Sequence, residues 1–191
     1  MTDGKRTVGE MTRLIERASS GERGAFDRIF EILYPDLRNI AHRRLSLNAR
    51  NGSMDTTALV NECYLKLVQR ESLKPSDRAH FLGYAASVMR SIIVDAARHS
   101  RATKRGGDQQ HVTLDTGVAE SLAHPADEII DVDGALEQLG RINERLVRVV
   151  EMRYFGGLRD SEIAQALGLT ERTVQRDWER ARLLLAHALR N

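Results

Sequence analysis

The chain has 191 residues, a formal net charge of +2, 41% hydrophobic and 5% aromatic residues, three prolines and a single cysteine. One cysteine excludes an internal disulfide and, without a CxxC pair or clustered histidines, a standard zinc site; no HExxH or phosphate-cradling glycine loop is present, so no metal, cofactor or catalytic constellation is expected. No apolar run approaches the roughly 18 residues of a membrane span and the N-terminus lacks a secretory signal, which predicts a soluble, cytoplasmic protein without membrane insertion. Few aromatics, few prolines and no period-two alternation predict an all-α fold.

Residues 1–12 are polar and predicted to form a disordered N-terminus, followed by a short helix over 13–18. From Ala25 to Leu45, Phe26, Ile29, Phe30, Leu33, Leu37, Ile40 and Ala41 recur at threes and fours, the spacing of an amphipathic helix. Pro35 interrupts it. Proline costs about 3 kcal/mol inside a helix, which predicts a kink or a fresh start there. Arg38, His42, Arg43 and Arg44 are placed on or beside the solvent face.

After a loop at 48–55, a helix is predicted from Thr57 to Arg70, with Val60, Cys63, Tyr64, Leu67 and Val68 buried. Asn61, Glu62, Lys66 and Gln69 stay outside, a mixed-charge face suited to a protein partner. Residues 72–77 with Pro75 form a loop. The most regular helix follows: Phe81, Leu82, Ala85, Val88, Met89, Ile92, Ile93, Ala96 and Ala97 give a wide apolar face. Ser87, Arg90, Ser91, Val94, Asp95 and Arg98 face the other way, and His99, Arg101, Lys104 and Arg105 make a basic end.

From Gly106 to Gly140 there are eight acidic residues and no Lys or Arg. Residues 106–131 are predicted to be a flexible acidic linker between two small helical domains, 13–105 and 132–191. In the second domain Ala135, Leu136, Leu139, Leu146, Val149, Val150 and Met152 mark one or two helices. Gly156 and Gly157 then turn the chain into its most specific motif.

That motif is Asp160 to Leu185, predicted to be a helix-turn-helix. Asp160 is the expected N-cap of a helix carrying Ile163, Ala164 and Leu167; Gly168 ends it, because glycine takes left-handed angles at no steric cost. Thr170 is the expected N-cap of the next helix, whose Val174, Trp178, Ala181 and Leu185 form a buried stripe with the domain core around Trp178. Glu171, Arg172, Gln175, Arg176, Glu179 and Arg180 are left to solvent. Arginine forks and glutamine amides match base edges and phosphates in a major groove, and this predicts a DNA-reading helix.

These residues resemble a known family, the small two-domain bacterial RNA polymerase sigma factors of the extracytoplasmic-function (ECF) type. MRYFGGLRDSEIAQALGLTERTVQRDWERAR is similar to the family's domain 4, NECYLKLVQR to its polymerase-clamp-binding helix, and MRSIIVDAARHSRATKR to its promoter-reading helix. The resemblance implies core polymerase contacts by Asn61, Glu62, Leu65, Lys66 and Gln69. It implies minus-ten recognition and melting by Ser87, Arg90, Ser91, Val94, Arg98 and Arg101, and minus-thirty-five recognition by Thr170, Glu171, Arg172, Thr173, Gln175, Arg176 and Arg180. Ser91 stands where the family usually has asparagine, and Asn61 where it has glutamine.

The expected partners are core RNA polymerase, at its clamp and flap, promoter DNA, and as a further candidate an anti-sigma factor. The expected function is promoter recognition, melting and transcription initiation with no covalent chemistry. The acidic linker either imitates nucleic acid in the polymerase's basic channel or is a solvated tether. One alternative is a stand-alone helix-turn-helix regulator, which would bind a palindrome without polymerase. Another, a recombinase, would need an α/β catalytic domain that the helical pattern of 13–105 argues against.

Overall fold

The computed structural model describes residues 3–47, 54–69, 75–106 and 125–190. Along them run α1 (Asp3–Ser19), α2 (Arg23–Leu47), α3 (Thr56–Val68), α4 (Arg78–Gly106), α5 (Pro125–Ile142), α6 (Glu144–Val150), a π turn (Glu151–Phe155), α7 (Asp160–Leu167) and α8 (Glu171–Ala188). The fold is all-α, with no strand among the described residues.

The N-terminal half packs α1 to α4 around Ile29, Leu33, Leu37, Ile40, Leu59, Leu67, Phe81, Leu82, Met89 and Ile92, all at most 2% exposed. Burial of one such side chain contributes about 1.5–3 kcal/mol, so this cluster outweighs any single polar contact in the half. Phe26, Phe30, Tyr64 and Phe81 form an aromatic group at one end, with the Tyr64 hydroxyl donating to Asp27 at 2.7 Å.

Several boundaries differ from the sequence expectation. Helix α1 starts at Asp3, within the stretch predicted to be disordered, and Met11, Leu14 and Ile15 are buried. Helix α2 runs unbroken through Pro35. Asp55 caps α3 by accepting from Ala58 N–H at 2.8 Å. The inner stripe of α3 is Leu59, Val60, Cys63 and Leu67, while Val68, predicted buried, is 41% exposed. Helix α5 opens at Pro125, inside the predicted linker; proline is well placed in a first turn, where its missing N–H costs nothing. The rest of that linker, 107–124, and the loop residues 48–53 and 70–74 lie outside the described residues.

The C-terminal half has its own small cluster of Leu136, Leu139, Leu146, Val150 and Ala181. It is not centred on Trp178 as expected. Trp178 is half-buried and touches both this cluster and the larger one, with the Arg153 guanidinium 4.9 Å from its ring centre.

The larger difference concerns the two halves, predicted to be held apart. Val149, Met152, Leu158, Ile163, Ala164 and Val174 belong to the same continuous core as α1 to α4. Close approach is possible at Gly83: a Cβ there would fall 2.8 Å from Met152 Cγ, so with any larger residue the Met152 side chain would have to move from its place on α4. The π turn presents Met152 at that spot, with Gly156 N–H reaching back five residues to Glu151 O at 2.7 Å.

Candidate nucleic-acid interface

The helix-turn-helix forms with one change of cap. Arg159, not Asp160, is the N-cap of α7; its N–H donates to the Glu162 carboxylate at 3.0 Å, and Asp160 pairs instead with Arg153 at 3.1 Å. Gly168 ends α7 at φ 64°, letting Leu169 N–H return to Ala164 O at 2.8 Å. Thr170 caps α8 as expected, accepting from Thr173 N–H at 3.2 Å.

Val174 and Ala181 are fully buried, which fixes the inner face of α8. Asp177 is buried too, and Arg145 of α6 holds both its oxygens at 2.7 and 3.3 Å. A bidentate guanidinium resists rotation, so the pair sets the roll of α8 about its axis. The outer row follows from that roll. Glu171, Arg172, Gln175, Arg176, Glu179 and Arg180 are all exposed, with Thr173 half-buried, and among the described residues no carboxylate pairs with Arg172, Arg176 or Arg180.

The α4 residues predicted to face solvent meet a different environment. Glu151 accepts from Ser87 Oγ at 3.0 Å and from Arg90 Nη2 at 2.9 Å; Asp133 accepts from Arg90 Nη1 and, at 3.0 Å, from Arg98 Nη2. Arg101 pairs with Asp127 at 3.2 Å, Val94 is 3% exposed, and Ser91 bonds back to Val88 O within its own helix. The face opposite the α4 core stripe is therefore covered by α5 and the π turn. Acids on those elements match the arginines, and Gly83 and Ser87 are small enough to let them close.

On α3 the predicted partner face stays open. Asn61, Leu65 and Gln69 are exposed, Leu65 at 57%; Glu62 is half-buried, and Lys66 reaches Asp95 of α4 at 3.1 Å.

Two further arginines tie the halves together. Arg78 pairs with Asp36 at 2.8 Å and with Glu162 at 3.3 Å. Burial would raise the Glu162 pKa, but hydrogen bonds from Arg159 and the charges of Arg159 and Arg78 outweigh it and hold the carboxyl below its ordinary range. Arg44, expected near solvent, is buried under Tyr154 and Phe155, 4.7 and 4.4 Å from their ring centres, and donates to Phe155 O at 3.2 Å. Burial pushes its guanidinium pKa down to about 10, still charged at neutral pH. The aromatic faces offset part of that desolvation.

The family model for ECF sigma factors matches residues 8–191. The chain belongs to the ECF sigma factor family. It is also 24% identical over 186 residues to the ECF RNA polymerase sigma factor BldN of Streptomyces coelicolor, covering 94% of this chain and 66% of that protein. No helix among the described residues is long and apolar enough to cross a membrane.

Sequence reasoning missed Asp133, Glu151, Asp177 and Arg44 in this ECF sigma factor. Two left a signal. Asp133 sits in the apolar stripe of Ala126, Ile129 and Leu136, and Asp177 lies between Val174 and Ala181; an acid in a buried stripe requires a basic partner. Arg44 left none, because its aromatic partners come from the other half of the chain.

Proposed function

We propose that this ECF sigma factor is a promoter-specificity subunit that carries out no covalent chemistry. It docks on core RNA polymerase through the α3 face of Asn61, Glu62, Leu65, Lys66 and Gln69. It reads the minus-thirty-five element in duplex DNA with Thr170, Glu171, Arg172, Thr173, Gln175, Arg176 and Arg180. It captures the minus-ten element with Ser87, Arg90, Ser91, Val94, Arg98 and Arg101.

The observation that carries this reading is the outer row of α8. The Thr170 cap, the Gly168 turn and the Arg145–Asp177 pair fix the helix so that Arg172, Gln175, Arg176 and Arg180 project together into solvent, with no carboxylate paired to these arginines among the described residues. Such a row supplies phosphate contacts for register and base contacts for specificity. In this reading residues 13–105 serve polymerase docking and the minus-ten element and residues 132–191 the minus-thirty-five element, so that one duplex is contacted at two places. An anti-sigma partner and polymerase flap contacts belong to the same reading.

Leu65 tests the docking face. An exposed leucine on a helix contributes little to folding, yet makes an apolar anchor in an interface. Leu65→Glu should leave the melting temperature unchanged and abolish co-elution with core polymerase. Unchanged co-elution would remove the α3 assignment.

A further inference from the structure

We propose that the cavity between α2, α4, α5 and the π turn is a binding site for a small monocarboxylate with a compact apolar body. The site goes beyond the DNA and polymerase roles given above, and its test needs neither partner.

The walls come from three elements. Ile93 and Val94 of α4, Ile129 and Val132 of α5, and Tyr154 and Phe155 of the π turn line the space with hydrocarbon and aromatic surface. Its volume, about 280 Å³, lies at the small end of the range for ligand sites, which combine mostly apolar walls with a few placed polar groups. Ile93, Ile129 and Phe155 are only half-buried, so apolar surface is left for a ligand to cover. Val132 and Tyr154, 37% and 52% exposed, stand where the cavity meets solvent.

The charges lining the cavity select the sign of the ligand. They are two arginines, Arg44 and Arg90, and two acids, Glu128 and Asp133. Arg90 and Asp133 hold each other, with Glu151 on the second Arg90 nitrogen and Arg98 on the second Asp133 oxygen, so both are compensated in place. Glu128 is exposed, and water screens it. Arg44 is buried under the Tyr154 and Phe155 rings, so its charge is screened least. Burial has already pushed its pKa down to about 10, as befits a cation short of solvation, and an anion entering the cavity restores part of what water would have given.

A guanidinium meets a carboxylate with parallel N–H donors, which fixes the head of the ligand. An apolar body against Ile93, Ile129 and Val132 then covers the walls. A short dicarboxylate would leave those walls bare, and a hydrocarbon without a head would leave the Arg44 charge unused.

The probe is naphthoate, with naphthamide as its neutral counterpart, added to the full chain. Binding is followed by methyl NMR and by the melting temperature. Naphthoate should bind saturably and raise the melting temperature, because a ligand of the folded state stabilises it. It should shift the methyl resonances of Ile93, Ile129 and Val132 while those of Ile29 and Leu139, deep in the two cores, stay in place. The amide should bind about tenfold more weakly.

No saturation by about 5 mM, weaker than a ligand of this size should bind, would overturn the site. Shifts confined to other methyls would overturn its location. Equal binding of acid and amide, or tighter binding of naphthylmethylamine, would overturn the choice of an acid.

Two variants sharpen the result. Val132→Trp fills the cavity from its exposed rim, where a large side chain disturbs the core least, and should abolish the Ile93 and Ile129 shifts with helix content retained. Unaltered binding in that variant would overturn the site. Arg44→Gln should remove the preference for acid over amide, and a retained preference would overturn the role of Arg44. Should either variant fail to fold, the wild-type comparison of acid and amide and its methyl shifts decide alone.

Discussion

Arg90 of α4 and Asp133 of α5, 43 residues apart in sequence, form an ion pair in which the acid side chain is 8% exposed and the arginine 20%. Contacting charges so shielded from water are coupled. A double-mutant cycle of Arg90→Ala and Asp133→Ala, read by urea unfolding, should give an interaction energy of about 1–3 kcal/mol. Additive losses would mean that the pair does not form in solution.

Glu162 gives the fold an acid-sensitive seam. Its folded pKa is held below the ordinary 4.5, so the stability it contributes is complete above that value and is lost as pH falls through the folded one. Glu162→Gln should therefore be less stable than wild type at neutral pH and show a flatter decline below pH 4.5, by thermal melting across pH. Parallel curves would contradict the assigned pairing.

Gly168 is needed for its backbone angle rather than for space. Nothing lies within 4 Å of where a Cβ would stand, but its φ of 64° is left-handed. Gly168→Ala should cost about 1–2 kcal/mol in urea unfolding, with wild-type helix content by circular dichroism. A neutral result would mean that the turn relaxes freely.

Trp178 bridges the two cores from a half-buried position, with Arg153 over its ring. Trp178→Ala should destabilise by about 3 kcal/mol, the lower end for a large aromatic because part of the ring already meets water. Its fluorescence in the wild type should shift to the red on unfolding. An unchanged melting temperature would show that the bridge contributes nothing.

What was legible in the sequence was local. The stripes of α2 and α4, the Thr170 cap, the Gly168 turn and the outer row of α8 all follow from spacings of three and four and from backbone preferences within a few residues. Cys63 as a small core residue follows too, with burial pushing its thiol pKa up to about 12. Contacts between distant segments were not legible. The solvent face assigned to α4 is correct for that helix packed only on its own half; Asp133 and Glu151 cover it from 43 and 61 residues away. Local cap choice was the other weak point. Asp160 is the better isolated cap, but Arg153 takes its carboxylate while Glu162 satisfies the N-terminal N–H of Arg159.

The sign of α8's outer row has a simple mutational signature. Arg176→Ala should weaken binding to its upstream duplex element by about 1–3 kcal/mol if it reads a base, whereas a phosphate contact would chiefly flatten the salt dependence. Arg176 is exposed, so melting should be unaffected. Loss of folding in this variant would show that the side chain is structural.

Run-off transcription tests the central claim most directly. Purified core RNA polymerase, genomic template from the source organism and the full chain should yield transcripts with defined starts only when the chain is present, and the Leu65→Glu variant should yield none. Identical transcripts with and without the chain, or no association with core polymerase, would contradict it.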